Sequence, residues 1–246
     1  MTAGYIRSMR RDVTVVNILL AWDRGGMSSE SADPLGRKPY HHGALRSALI
    51  EASIALAREG GPDRVVLREA ARTAGVSHSA AYRHFADREA LLAEVSRFAR
   101  NELAAEMRRR VNRAKNPRSR LRAVGTAYID FALTEPGLFR TAFTSHPATS
   151  RDTEHNPPST PEDPTHITSG ADPFEVLGRV LDEAQAAGLL EPRRRPGADI
   201  AAWSAVHGLA GLLLDGPLPT SAAAIKFSRG QVLDLVERGL LNGAQT

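Results

Sequence analysis

Beyond residue 40, apolar residues recur at helical spacing almost to the end of the chain. Leu45, Leu49, Ala52 and Leu56 stand three or four apart and form the core face of a first helix. In residues 67–85, LREAARTAGVSHSAAYRHF, Leu67, Ala70 and Ala71 share one face of a short helix. Gly75 stands where that helix must stop and the chain reverse, and Val76 returns to the core. Ser77 or Ser79 supplies the oxygen that caps the next helix. Alanines at 70, 71, 74, 80 and 81 let the two helices cross closely, at the roughly 90–120° of a helix-turn-helix. The second helix offers His78, Ser79, Tyr82, Arg83 and His84, with little apolar bulk beyond Phe85. An ordinary helical hairpin in a bundle accounts for the turn but not for that polar face.

The same periodicity carries the rest of the chain. Asp87 is the N-cap of a long helix predicted over 88–115, roughly 40 Å, with Pro117 as its stop. Its distal part and the following turn are basic (Arg108, Arg109, Arg110, Arg113, Lys115, Arg118, Arg120, Arg122), which suits either a DNA-flanking surface or a solvated helix face. A helix over 118–134 sets Val124, Tyr128, Phe131 and Ala132 on one side. Pro136 and Gly137 break it, and a short helix continues through Leu138, Phe139, Thr141, Ala142 and Phe143. Residues 145–172 hold five prolines and almost nothing apolar, the composition of a flexible insertion. Its His146, His155 and His166 are too irregularly spaced for a metal site, and none is predicted. Helix returns over 173–187 and ends at Gly188. The helix over 198–214 is apolar nearly all round, which predicts burial on every side, and a last helix over 221–241 presents Ile225, Val232, Leu235, Val236 and Leu240. The predicted fold class is all-α: a three-helix DNA-binding head followed by a helical bundle.

Charge sharpens this picture. The net charge is only +4, yet residues 37–122 carry 19 Lys/Arg against 9 Asp/Glu, and residues 123–246 carry 9 against 15. A basic first half facing a polyanion and an acidic second half facing solvent is the asymmetry expected of a DNA-binding protein. The chain has no cysteine, which fits a reducing cytoplasm and excludes disulfides and thiolate metal sites. No Gly-rich phosphate loop, G-x-S-x-G, H-E-x-x-H or cysteine nucleophile is present. A dyad built on His207 is the one enzymatic route left, and it lacks an evident partner. Residues 12–22 form an apolar run behind Arg7, Arg10 and Arg11, too short to span a membrane and without the cleavage site of a signal peptide. Residues 1–36 are therefore expected to be a disordered extension or no part of the native protein, with Met27 as an alternative start.

From Tyr40 to Leu92 the order of elements, with HHGALRSALIEASIALAREGG, the helix-turn-helix and the YRHF-ADREALL junction, resembles the DNA-binding domain of the tetracycline-repressor-like (TetR) family of transcriptional regulators. Trp203, His207 and Gly208 in AAWSAVHGLAGLLLDG are similar to the signature of one C-terminal class of that family, designated WHG. Where many members carry Leu and Lys, this chain has Ala81 and Arg88.

The resemblance implies a DNA-binding domain over 37–90 and a ligand-binding and dimerisation domain over 91–246. It implies a cytoplasmic homodimer, paired through its last two helices, that binds a double-stranded operator and acts as a repressor released by a small hydrophobic inducer. On the recognition helix His78, Ser79 and Arg83 are placed to reach base edges. Tyr82, His84 and Arg88 are expected on phosphates, and Arg68 and His42 on the backbone beside them. Tyr128, Phe131, Phe139, Phe143, Trp203 and His207 are the candidates to line a ligand cavity, although aromatic residues at helical spacing also suit a plain core. No cofactor and no membrane partner are implied. A constitutive DNA-binding regulator without a ligand is the alternative, and a helical-bundle enzyme a more distant one.

Overall fold

A computed structural model describes residues 42–144 and 172–242, and nine α-helices lie among them. The N-terminal extension through residue 41 and all of the proline-rich insertion but Asp172 lie outside the described residues.

The first helix, α1 (His42–Gly60), buries Leu49, Ala52, Leu56 and Ala57. A 3-10 turn at Pro62–Arg64 leads to α2 (Leu67–Thr73), which buries Leu67, Ala70 and Ala71. Gly75 then adopts φ +69°, a left-handed conformation that a side chain resists. Val76 N–H donates to the Ala71 carbonyl (2.9 Å) and Gly75 N–H to that of Arg72 (3.2 Å), so two carbonyls at the helix end are satisfied as the chain reverses. Ser77 Oγ accepts from Ala80 N–H at 3.2 Å and starts α3 (His78–Tyr82), whose Ala80 and Ala81 are buried.

Asp87 accepts from Ala90 N–H (2.7 Å) and starts α4 (Arg88–Val111), about 36 Å long. The helix stops short of the predicted 115. Asn116 caps the next helix in a reciprocal pair with Ser119, and Pro117 is the first residue of α5 (Pro117–Thr134). Proline here starts a helix, because its missing N–H falls where the first turn has no partner to offer. Pro136 repeats the device in α6 (Pro136–Ala142). Then follow α7 (Pro173–Ala186), α8 (Ala198–Leu214) and α9 (Ala222–Leu240). Helix α5 lies centrally, against α4, α6, α7, α8 and α9.

Two expectations need correction. Helix α8 is covered on one face only, by way of Ala202, Val206, Leu209, Ala210 and Leu213. On its other face Ile200 is 67% exposed, and Leu212, Ser204, Gly208 and Gly211 are exposed beside it. Among the described residues nothing covers that face. In α9 the apolar residues split likewise. Leu233 is buried and Val232 and Val236 pack against the core, while Phe227 (69%) and Leu235 (61%) face outward.

At five of its eight positions the basic stretch after residue 107 is more than a solvated face, because these arginines pair with acids. Arg109 and Arg110 bind Glu106, and Arg110 also reaches Asp130 (2.7 Å), which Arg229 of α9 bonds at 2.6 Å. Arg122 bonds Asp234 (2.6 Å) and Glu237 (2.9 Å), Arg118 lies 3.8 Å from Glu237, and Arg120 bonds Glu183 of α7 at 2.6 Å. The acidic second half therefore serves in part as partner to the basic first half rather than only facing solvent. No described helix is long and apolar enough to cross a membrane.

Candidate nucleic-acid interface and ligand site

Burial of Ala80 and Ala81 leaves His78, Ser79, Tyr82 and Arg83 exposed on and just after α3. His78 and Tyr82, four residues apart, meet edge to face with ring centroids 4.7 Å apart. Ser79 Oγ lies 3.3 Å from Ser77 Oγ, and His84 is half-buried at the end of the turn. Arg68 is exposed on α2 beside Glu69. The Glu69 carboxyl is held below its usual range chiefly by the hydrogen bond and charge of Arg72, with Arg64 and Arg68 adding to it. His42 opens α1, and its side chain lies outside the described residues.

Arg88 differs from the other candidates. Its Nε donates to the Val65 carbonyl (2.9 Å) and its Nη2 to that of Pro62 (2.7 Å). The first residue of α4 is thus fastened to the segment that delivers the chain from α1 into α2. Arg46 does comparable work and carries no local sequence signal, since its partners are 39 and 48 residues away. It bonds Glu94 of α4 at 2.5 Å and lies over the ring of Phe85, 5.2 Å from its centroid. Burial pushes the Glu94 carboxyl up, but hydrogen bonds from Arg97 and Arg46 outweigh it and hold the group below its ordinary value.

Helix α6 is held at both ends by α1 and α4. At its start Gly137 lies directly on the end of α1, where a Cβ would stand 2.1 Å from the Ala57 carbonyl oxygen and 2.8 Å from that of Arg58. At its end the Ala142 carbonyl accepts from Ser96 Oγ (3.1 Å) and from Arg100 Nη1 (3.2 Å), and Arg100 also donates to Ser96 Oγ at 2.8 Å. Ser96 is fully buried.

The side chains of α6 point into a cluster of rings. Tyr128 of α5 is surrounded by Phe139 (5.4 Å between centroids), Phe143 (6.0 Å), Trp203 (4.9 Å) and His207 (6.2 Å). Its hydroxyl lies 2.6 Å from His207 Nδ1, and burial pushes its pKa far up, so it stays a neutral phenol. Phe131 is buried on α5 and shares no ring contact with the other five candidates. Phe174 of α7, which the sequence reading overlooked, stacks on Trp203 at 3.9 Å with planes 12° apart. Beside Tyr128 and Trp203 lies a void of about 20 Å³, lined by aliphatic residues such as Leu121, Val124, Val206 and Leu233. That holds about one water molecule. The bundle is closely packed here, and a larger guest requires rings to move.

Residues 49–95 match the family described as bacterial regulatory proteins, tetR family, and residues 121–234 match the tetracyclin repressor-like C-terminal domain. A Rhodococcus sp. RHA1 protein, described as of unknown function, is 29% identical with a TM-score of 0.62, over 83% of this chain and all of its own. A TetR family transcription regulator from Marinobacter aquaeolei VT8 is 17% identical, TM-score 0.52, over 82% of this chain and 97% of its own. RolR, solved in complex with resorcinol, is 15% identical, TM-score 0.51, over 82% and 97%. No curated protein matches the chain.

Proposed function

The chain belongs to the tetR family of DNA-binding transcriptional regulators, and from that premise we propose that it is a homodimeric repressor released by a small, largely apolar molecule. The observation that carries the reading is the placement of α6. Phe139 and Phe143 belong to the ring cluster, while Gly137 and the Ala142 carbonyl are fixed to α1 and α4. A guest that pushes Phe139 or Phe143 aside shifts α6, and α6 cannot shift without disturbing α1 and α4, which hold the helices that carry α3. By linkage, a ligand that prefers the shifted form lowers DNA affinity by the same coupling free energy, typically about 1–3 kcal/mol. RolR's complex with resorcinol supports a small aromatic molecule as an acceptable guest for this fold.

In this reading His78, Ser79 and Arg83 meet base edges, Tyr82 and His84 meet phosphates, and Arg68 and His42 meet the flanking backbone. Arg88 acts differently, as a positioning residue that holds α4 to the α1–α2 connection. The open faces of α8 and α9, with Ile200, Leu212, Phe227 and Leu235, pair with a second copy. Small residues at 204, 208 and 211 let the partner helix approach, as a tight interface wants. Dimerisation places two copies of α3 about one DNA turn, roughly 34–36 Å, apart on a near-palindromic site in the cytoplasm. The ligand-free alternative rests on the smallness of the void. Selection of bound fragments from genomic DNA, followed by titration of the selected site with small hydrophobic molecules, separates the two. Site-specific binding that no such molecule weakens establishes the constitutive regulator instead.

A further inference from the structure

The ring cluster contains one polar pair, and its chemistry restricts what can bind there. Five rings, Tyr128, Phe139, Phe143, Trp203 and His207, meet mostly edge to face, an arrangement that accepts a further flat ring more readily than a bulky aliphatic group. None of the residues lining the adjoining void carries a formal charge, so an ion entering it would lose its hydration without compensation. The Tyr128 hydroxyl and His207 Nδ1 share one hydrogen bond, which leaves the phenol oxygen further bonding capacity whichever group donates. If Tyr128 donates to His207, its oxygen can still accept. If His207 donates, the Tyr128 proton is free to be given. A guest hydroxyl serves in either case, because it both donates and accepts, whereas an ether or carbonyl serves only in the second.

Resting on the repressor reading above, we propose that the inducer is an uncharged single-ring aromatic bearing a hydroxyl, recognised by Tyr128 paired with His207. It enters by displacing Trp203 from its stack on the exposed Phe174. A cavity that holds benzene measures about 150 Å³ against the 20 Å³ present, so this displacement is a requirement of binding.

The test uses the full chain with Trp22→Phe, which leaves Trp203 as its sole tryptophan. Phenol, toluene, cyclohexanol and benzoate are titrated against Trp203 emission, and binding of the selected DNA site is followed in parallel. Phenol and toluene are expected to perturb the emission, benzoate and cyclohexanol far less. Tyr128→Phe should lower the ratio of phenol to toluene affinity by about three- to tenfold, the worth of one hydrogen bond. His207→Phe should raise that ratio, because the Tyr128 hydroxyl then has the guest as its only partner. The opposite signs distinguish recognition from damage to the fold, and either variant alone carries the test. An unchanged ratio in either folded variant, or benzoate binding as well as phenol, overturns the proposal. If toluene and phenol release DNA alike and neither variant alters their ratio, the repressor reading stands and only the hydroxyl recognition falls. If phenol binds through Tyr128 while DNA affinity stays constant, the recognition stands and the release mechanism falls. If no probe perturbs Trp203, the proposed site itself is refuted.

Discussion

Replacing Gly137 by alanine adds one carbon where α6 meets the end of α1. That carbon would stand 2.1 Å from the Ala57 carbonyl oxygen and 2.8 Å from that of Arg58, both backbone atoms without a rotamer to change. Carbon and oxygen settle at about 3.3 Å or more, so α6 and α1 must separate by about 1.2 Å. Overpacking of this kind costs about 1–3 kcal/mol, which for a chain of this size lowers the melting temperature by about 2–12 °C. Gly178 in α7 is the control. A Cβ there meets only the Arg195 guanidinium at 3.8 Å, and alanine in place of a helical glycine adds up to about 1 kcal/mol. Calorimetry of both variants reads the difference directly. Because α6 also touches the rings, Gly137→Ala should lower DNA affinity even without ligand and reduce the further loss that ligand causes. A Gly137→Ala protein melting within about 1 °C of wild type, with unaltered DNA affinity, would refute the transmission role given to α6.

Three further outcomes follow from the same geometry. Arg88→Ala and Arg88→Lys should both lose about 1.5–3 kcal/mol of stability together with DNA affinity, because an ammonium lacks the fork that reaches two carbonyls. If Lys restores both in thermal melts and binding titrations, Arg88 is a simple phosphate contact. Leu235→Glu places a charge on the exposed face of α9 and should give monomers at micromolar concentration in sedimentation, with little operator affinity; an intact dimer contradicts the assigned interface. The folded-state pKa of Glu94 lies below its ordinary 4.5, so the stability from its pairing with Arg46 and Arg97 is present above that value and lost as pH falls through the lowered one. Glu94→Gln should therefore be less stable than wild type at pH 7, with the gap narrowing in acid, and a gap constant with pH rules this out.

Much of the fold was legible because helices announce themselves by period and by caps. Asp87 and the Gly75 reversal are read directly from residue type, and Ser77 is one of the two caps foreseen. Pro117 was misread because proline both ends helices and begins them, and only the reciprocal Asn116–Ser119 cap decides between the two. The exposed face of α3 could be foreseen, since Ala80 and Ala81 had to turn inward. The role of Arg88 could not, because its partners are carbonyls 23 and 26 residues away, which composition does not encode. The same holds for the Arg100 clamp on Ala142 and for Phe174 on Trp203, which join helices distant in sequence. Apolarity in α8 predicted burial on every side, yet among the described residues only one face is covered, and residue type does not say which one.

The central claim is that α3, doubled by symmetry, reads a specific DNA sequence. Footprinting of the wild-type protein and of Arg83→Ala on its selected genomic site tests it most directly. The account expects wild type to protect two related half-sites about one helical turn apart, and Arg83→Ala to relax preference at one base pair in each half by about 1–3 kcal/mol. Protection of a single undivided stretch, or an Arg83→Ala footprint identical to wild type in position and strength, would contradict it.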